Sequence, residues 1–129
     1  MERERTELAG RCVANAADAH AIARQALPEP GVGVLHIDCG GRLLGISVET
    51  VADGVALPVQ RALRDAVRWE SSALLIAHRR PADDPEPSAE EVGATHALAK
   101  GARELGVRVL DRLDFTPMGF RSFRALGLL

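Results

Sequence analysis

Apolar and polar positions alternate along the chain with two different periods, and the changes of period divide it into elements. Over about residues 3–27, Leu8, Cys12, Ala16, Ala19, Ala23 and Ala26 recur at three- or four-residue steps, which predicts an amphipathic helix. Pro28 and Pro30 end it, because proline lacks the N–H that a helix uses. The apolar stripe of this helix is mostly alanine. It allows close approach but buries little area, and it suits self-association. In residues 31–38, Val32, Val34 and His36 alternate with Gly33, Leu35 and Ile37. Both faces are largely apolar, so a central strand is predicted. Cys39-Gly40-Gly41 supplies the positive φ angles of a tight hairpin, and residues 42–48 form the partner strand. Residues 49–57, with Asp53-Gly54, are expected to be a loop.

Pro58 then opens a second helix, at a position where its missing N–H does no harm. Val59, Ala62, Leu63, Ala66 and Val67 are expected on its inner side, with Arg61, Arg64, Asp65 and Arg68 opposite and Trp69 packed at its end. Residues 72–77 are a short apolar run, expected to be a buried strand. Residues 78–87 are polar and hold Pro81, Pro85 and Pro87, so they are expected to be irregular. Ser88 with Glu91 three residues later is a capping-box pattern opening a helix to about Leu105, with Gly106 as its stop. Residues 107–115 read as a strand, Thr116-Pro117-Met118-Gly119 as a turn, and residues 120–124 as a last strand. The order helix, hairpin, helix, strand, helix, hairpin predicts an α/β (α+β) fold, a mixed sheet flanked by helices. The expected organisation is an N-terminal amphipathic helix over residues 1–28 and a domain over residues 31–129.

Composition narrows the function classes. A chain of 129 residues suits one domain of this size, and its hydrophobic share of 47% with 26% charged residues is a globular balance. Aromatic residues are only 3%, so the core must be aliphatic. The formal charge of -2 gives no general attraction to nucleic acid, although arginine is frequent and a local basic face such as Arg61, Arg64 and Arg68 is open to it. Cys12 and Cys39 form no CxxC pair and no disulfide framework, which points to a reducing, cytoplasmic setting. The charged start Met1-Glu2-Arg3-Glu4-Arg5 is unlike a signal peptide, and no apolar run reaches the roughly 18 residues of a membrane span.

The chemistry is expected between the end of the 72–77 strand and the start of the helix at Ser88. In α/β folds the crevice beyond the carboxyl end of a strand is the usual ligand site. His78, Arg80, Ser88 and Glu91 lie there, with the spacing His78-x-Arg80, seven residues, Ser88, two residues, Glu91. That spacing resembles the JAMM motif of JAB/MPN metalloproteases, His-x-His, seven residues, Ser, two residues, Asp. The surrounding segments are similar to the RadC-like branch: Ala73-Leu74-Leu75-Ile76-Ala77-His78, Asp84-Pro85-Glu86-Pro87-Ser88, Leu105-Gly106-Val107-Arg108-Val109-Leu110-Asp111, Phe120-Arg121-Ser122-Phe123-Arg124 and Gly127-Leu128-Leu129. Upstream, Val34-Leu35-His36-Ile37-Asp38 and Ala56-Leu57-Pro58 resemble its first strand and following helix.

This resemblance implies a JAB/MPN-like mixed sheet with cytidine-deaminase-like layering. It also implies a zinc hydrolase in which two His and one Asp hold the metal, an upstream Glu acts as base and a Ser steadies the oxyanion. Carried over singly, His78 and Ser88 are retained. Arg80 stands where the second His should be, and a guanidinium stays protonated and offers no lone pair to a metal. Glu91 replaces the Asp and is one methylene longer. Pro30 stands where the upstream Glu should be, and the adjacent Glu29 is shifted by one residue, which on a strand changes faces. Loss of one ligand of three removes several kcal/mol from a site whose full structural counterparts are worth about 10–16 kcal/mol. No zinc is therefore expected to be held at rest; if the site is retained, His78 and Glu91 are the ligands. Arg80 and Glu91 are expected to form an ion pair at the former metal site, with Ser88 left as a degenerate catalytic position.

Three functions follow. The leading one is an inactive RadC-like domain acting as a binding or structural module, with an unidentified protein partner or self-association; the family's association with DNA repair reaches the chain by resemblance only. The second is a zinc metallopeptidase or isopeptidase rebuilt from His78, Glu91 and Asp83 or Asp84. The third is an accessory nucleic-acid-binding protein. His20, His36 and His96 show no ligand spacing to one another, and Asp38 and Asp111 read as polar groups at strand ends.

Overall fold

The computed structural model describes residues 7–48, 56–80 and 86–129. Arg3, the Asp53-Gly54 loop, Asp83 and Asp84 lie outside the described residues. The elements are α1 (Ala16–Ala26), β1 (Gly31–Ile37), β2 (Leu43–Val48), α2 (Val59–Arg68), β3 (Ala73–Arg79), α3 (Ala89–Glu104), β4 (Arg108–Thr116) and β5 (Gly119–Ser122). The strands form one five-stranded sheet in the order β2-β1-β3-β4-β5. β1 is antiparallel to β2 and β3, β4 is parallel to β3, and β5 is antiparallel to β4. Two connections cross the sheet: α2 carries the chain from β2 past β1 to β3, and α3 joins the parallel pair β3 and β4. The result is the mixed, helix-flanked α+β sheet that the order of elements predicts.

The sheet divides the core in two. On one face α1 packs Ala19, Ile22 and Ala23 against Leu35, Ile37, Leu75, Ala77, Leu113 and Phe115. On the other, α2 and α3 pack Ala62, Ala66, Leu98 and Ala102 against Val32, Val34, Leu74, Ile76 and Val109. Every residue of β1 is buried, as expected for a strand with a neighbour on each side and a layer on each face. Gly31 begins β1 because the chain doubles back there: a Cβ at this position would sit 2.5 Å from the Pro28 carbonyl oxygen. The hairpin turn is held by the Asp38 carboxylate, which accepts from the Gly40 and Arg42 amides, while Gly41 takes φ 82°.

Four expectations need correction. α1 begins at Ala16, not near residue 3, since Asn15 caps it by accepting from the Asp18 amide. The segment before it instead pairs with the hairpin: Cys12 bridges Arg42, and the Val13 amide donates to Gly41. Cys12 is thus exposed, Ile22 is a buried residue that the alanine stripe omitted, and Ala19 and Ala23 are already covered by the chain's own sheet. α2 is rotated from its expected orientation: Val67 is 62% exposed, while Asp65 turns inward and accepts from the Ser47 hydroxyl at 2.7 Å. β3 continues through His78 and Arg79, because Val32 of β1 and Asp114 of β4 flank His78 and pair with its backbone. β5 ends at Ser122, and the chain turns so that Phe123 is buried beneath the Arg112 guanidinium, 4.8 Å from its ring centroid. Among the described residues no helix is long and apolar enough to cross a membrane.

Candidate functional site

The end of β3, the middle of β4 and the start of α3 converge on the α2/α3 side of the sheet. His78 leaves β3 on this face, and Arg80 follows directly after the strand, its amide bonded to the Phe115 carbonyl at 2.8 Å. Arg112 and Asp114, two apart on β4, point the same way. Glu91 comes from the first turn of α3, where Ser88 caps the helix: the Ser88 hydroxyl accepts from the Glu91 amide at 3.1 Å, and Glu91 Oε1 accepts from the Ser88 amide at 2.7 Å. The capping box therefore aims the other carboxylate oxygen, Oε2, at the cluster.

One atom joins the cluster. Arg80 Nη1 lies 2.9 Å from Asp114 Oδ2, 3.0 Å from Glu91 Oε2 and 3.2 Å from His78 Nδ1. Arg112 braces the other side: Nε donates to Asp114 Oδ1 at 3.0 Å, Nη2 to His78 Nδ1 at 2.9 Å and Nη1 to Thr95 Oγ1 at 3.0 Å. The side chains of Asp114, Arg112 and Arg80 are 0%, 2% and 3% exposed, so these are desolvated contacts. Guanidinium groups only donate, so His78 Nδ1 is the acceptor and its ring proton sits on Nε2. Burial holds the His78 pKa down to about 4, with Arg112 and Arg80 acting in the same direction against Asp114 and Glu91. Burial pushes Glu91 upward, but the Ser88 amide together with Arg80 and Arg112 more than reverses this, and its pKa is lowered. His78 is thus neutral, and two guanidiniums face two carboxylates: the cluster carries no net charge.

A cavity of about 430 Å3 opens beside it, lined by Val32, Leu57 and Ala94 on its apolar side and by His78, Glu91 and Arg112 on its polar side. Ser88 is exposed, and its hydroxyl serves as the helix cap. Glu29 is elsewhere: it lies 3.7 Å from Arg79, and Arg79 alternates with His78 along β3 and bonds the Leu27 carbonyl at the end of α1. His78, Glu91 and Asp114 do converge, but on Arg80 Nη1, and among the described residues no three His, Cys, Asp or Glu side chains are placed to hold a metal ion.

Sequence reasoning missed Arg112, Asp114 and Thr95. The available signal was parity. Arg112 and Asp114 share one face of a strand whose other face carries Leu113 and Phe115, and charges that face a core at i and i+2 need partners there. The remaining histidines have separate roles. His20 stacks on Phe115 at 4.6 Å between centroids, and His96 Nε2 contacts the Leu128 carbonyl. His36 lies in a buried chain: Ser71 Oγ is 2.8 Å from Nδ1, Ser47 Oγ is 2.7 Å from Nε2, and Ser47 donates to Asp65. Burial lowers its pKa to about 3.

The chain matches the family model of the RadC-like JAB domain over residues 13–128. A UPF0758 protein of Symbiobacterium thermophilum is 35% identical over 88 residues, 65% of this chain and 38% of that protein. One from Trichormus variabilis is 35% identical over 99 residues, 74% of this chain and 40% of that protein. One from Desulfitobacterium hafniense is 29% identical over 98 residues, 74% of this chain and 43% of that protein. The chain therefore spans about two-fifths of the length of these relatives. With the motif spacing set on the end of β3 and the start of α3, and a family match that covers nearly the whole chain, this protein belongs to the RadC-like JAB domain family.

Proposed function

We propose that this RadC-like JAB domain is catalytically inactive and works as a binding or structural module, with Arg80 standing in for the metal. The observation that carries this reading is the position of Arg80 Nη1, within 3.2 Å of an imidazole nitrogen and of two carboxylate oxygens. Those are the donor types that hold a catalytic zinc. Here one protonated nitrogen meets them all. The donor set does not fit a zinc ion as it stands. The His78 Nδ1 lone pair faces two guanidiniums, both carboxylates are bonded to arginine, and a divalent ion would have to displace or lie against two buried cations. The other catalytic positions agree: a proline occupies that of the base, and Ser88 is turned to capping. What survives is a rigid, neutral floor beside a cavity with apolar and polar walls, which suits holding a protein segment or small ligand rather than transforming it.

Elemental analysis of protein purified without chelators tests the reading. Substoichiometric zinc that dialysis removes is expected, together with background peptidase and isopeptidase rates whether or not zinc is added. Near-stoichiometric zinc that survives dialysis, or an activity abolished by His78→Ala, overturns it.

A further inference from the structure

We propose that a second cavity, at the far end of α3, binds a phosphate dianion, free or esterified to a small molecule, and that Arg103, Arg108 and Arg124 recognise it. The cavity has a volume of about 310 Å3. Arg103 comes from the last turn of α3, Arg108 is the first residue of β4 and Arg124 follows β5, so three separate elements deliver arginines to one concavity. α3 has 16 residues, and at about 1.5 Å per residue it separates this cavity from the His78 cluster by roughly 24 Å.

Three features point to an anion. Arg124 is already held in place, its Nε on the Leu110 carbonyl at 2.8 Å and its Nη2 on the Val109 carbonyl at 3.1 Å. Its two bonds go to neutral groups, so its charge is not neutralised there. Arg103 and Arg108 are exposed, and neither has a side-chain hydrogen bond or ion pair among the described residues. The neighbouring helix end, which would otherwise repel an anion, is closed: the Val107 amide bonds the Ala102 carbonyl at 2.8 Å, and the Gly106 amide bonds that of Arg103 at 3.0 Å. Three like charges around one hollow repel one another, and a bound anion relieves that repulsion.

The class of anion follows from the arrangement. Guanidinium forks match phosphate oxygens in pairs, and a phosphomonoester carries nearly two charges near neutral pH. Convergent arginines favour a compact dianion. A nucleic-acid backbone instead presents single charges spaced along a track, which calls for a stripe of cations and a basic protein, whereas this chain has a formal charge of -2.

An NMR titration at fixed ionic strength tests this, with inorganic phosphate, a sugar phosphate and a short DNA duplex as separate probes. Saturable shifts confined to the Val107, Arg108 and Val109 amides and to the arginine Nε signals are expected. Arg108→Gln should weaken binding by about tenfold, the loss of a charge-assisted hydrogen bond, while Arg64→Gln on the exposed side of α2 leaves it unchanged. Tighter binding of the sugar phosphate assigns an esterified ligand, and equal binding assigns free phosphate; both support the site. Shifts that do not saturate, an equal loss in Arg64→Gln, or duplex DNA binding more tightly than the sugar phosphate overturn it. Arg64 and Arg108 are exposed and make no side-chain hydrogen bond or ion pair among the described residues, so both variants stay folded and a loss of binding is read directly.

Discussion

Replacing Arg80 by leucine removes one guanidinium from between two carboxylates and leaves Arg112 to serve both. Asp114 keeps its 3.0 Å bond to Arg112 Nε, but Glu91 Oε2 is left with Arg112 Nη2 at 3.7 Å, and the pocket gains a net negative charge. Unit charges about 4 Å apart interact by about 4 kcal/mol at an effective dielectric near 20, and Arg80 makes two such contacts at 2.9 and 3.0 Å. Removing one partner of a buried ion pair costs about 3–5 kcal/mol, because the charge left behind is uncompensated. We expect the lower half of that range, since Arg112 remains. Equilibrium urea unfolding measures it. With an m-value of about 2 kcal/mol per molar for a domain of this size, the midpoint should fall by roughly 1.5–2 M. The double variant Arg80→Leu/Asp114→Leu takes away one charge of each sign and should recover at least half of the loss, the signature of direct coupling. A loss under about 1 kcal/mol in Arg80→Leu, the size of an exposed pair, would refute the buried, balanced cluster. So would single losses that simply add in the double variant.

Three further outcomes follow from the same geometry. His36 is neutral in the fold, with its pKa depressed from 6.5 to about 3, so below about pH 6.5 the unfolded chain takes up a proton that the native state excludes. Stability is complete above pH 6.5 and declines as pH falls toward 3, by up to about 1.4 kcal/mol per pH unit from this group; unfolding midpoints at neutral pH and near pH 5 measure the slope, and an unchanged slope in His36→Gln would show that another group sets it. Ser88→Ala deletes the hydroxyl that caps α3 and should cost about 1 kcal/mol, whereas Ser88→Asp should keep most of it; chemical denaturation of the two variants distinguishes a cap from a mere surface position. Gly31→Ala forces a Cβ to within 2.5 Å of a backbone oxygen that has little room to yield, and a loss of about 1–3 kcal/mol is expected in thermal unfolding. An unchanged midpoint there means the 28–31 turn opens easily.

Whatever depends on the backbone's local period and on residues a few positions apart could be read from the order of residues alone. The β1 hairpin, the capping box of Ser88 and Glu91, the Gly106 stop and the alternation of helices with strands were all legible, since each rests on i to i+4 relations. The spacing of His78, Arg80, Ser88 and Glu91 was legible too, and with it the family. Position in space was not. Arg112 and Asp114 reach His78 and Arg80 across 34 residues, and only the parallel pairing of β4 with β3 puts them side by side. The same holds for Asp65, which reads as solvent-facing on its helix until Ser47 of β2 meets it, and for residues 11–13, which have a helical stripe but pair with the hairpin. In each case a polar group or backbone segment took the partner that burial demanded, and that partner lay far along the chain. Local chemistry sets which elements form, but the cost of burying an unpaired charge decides how they are turned and what they hold between them.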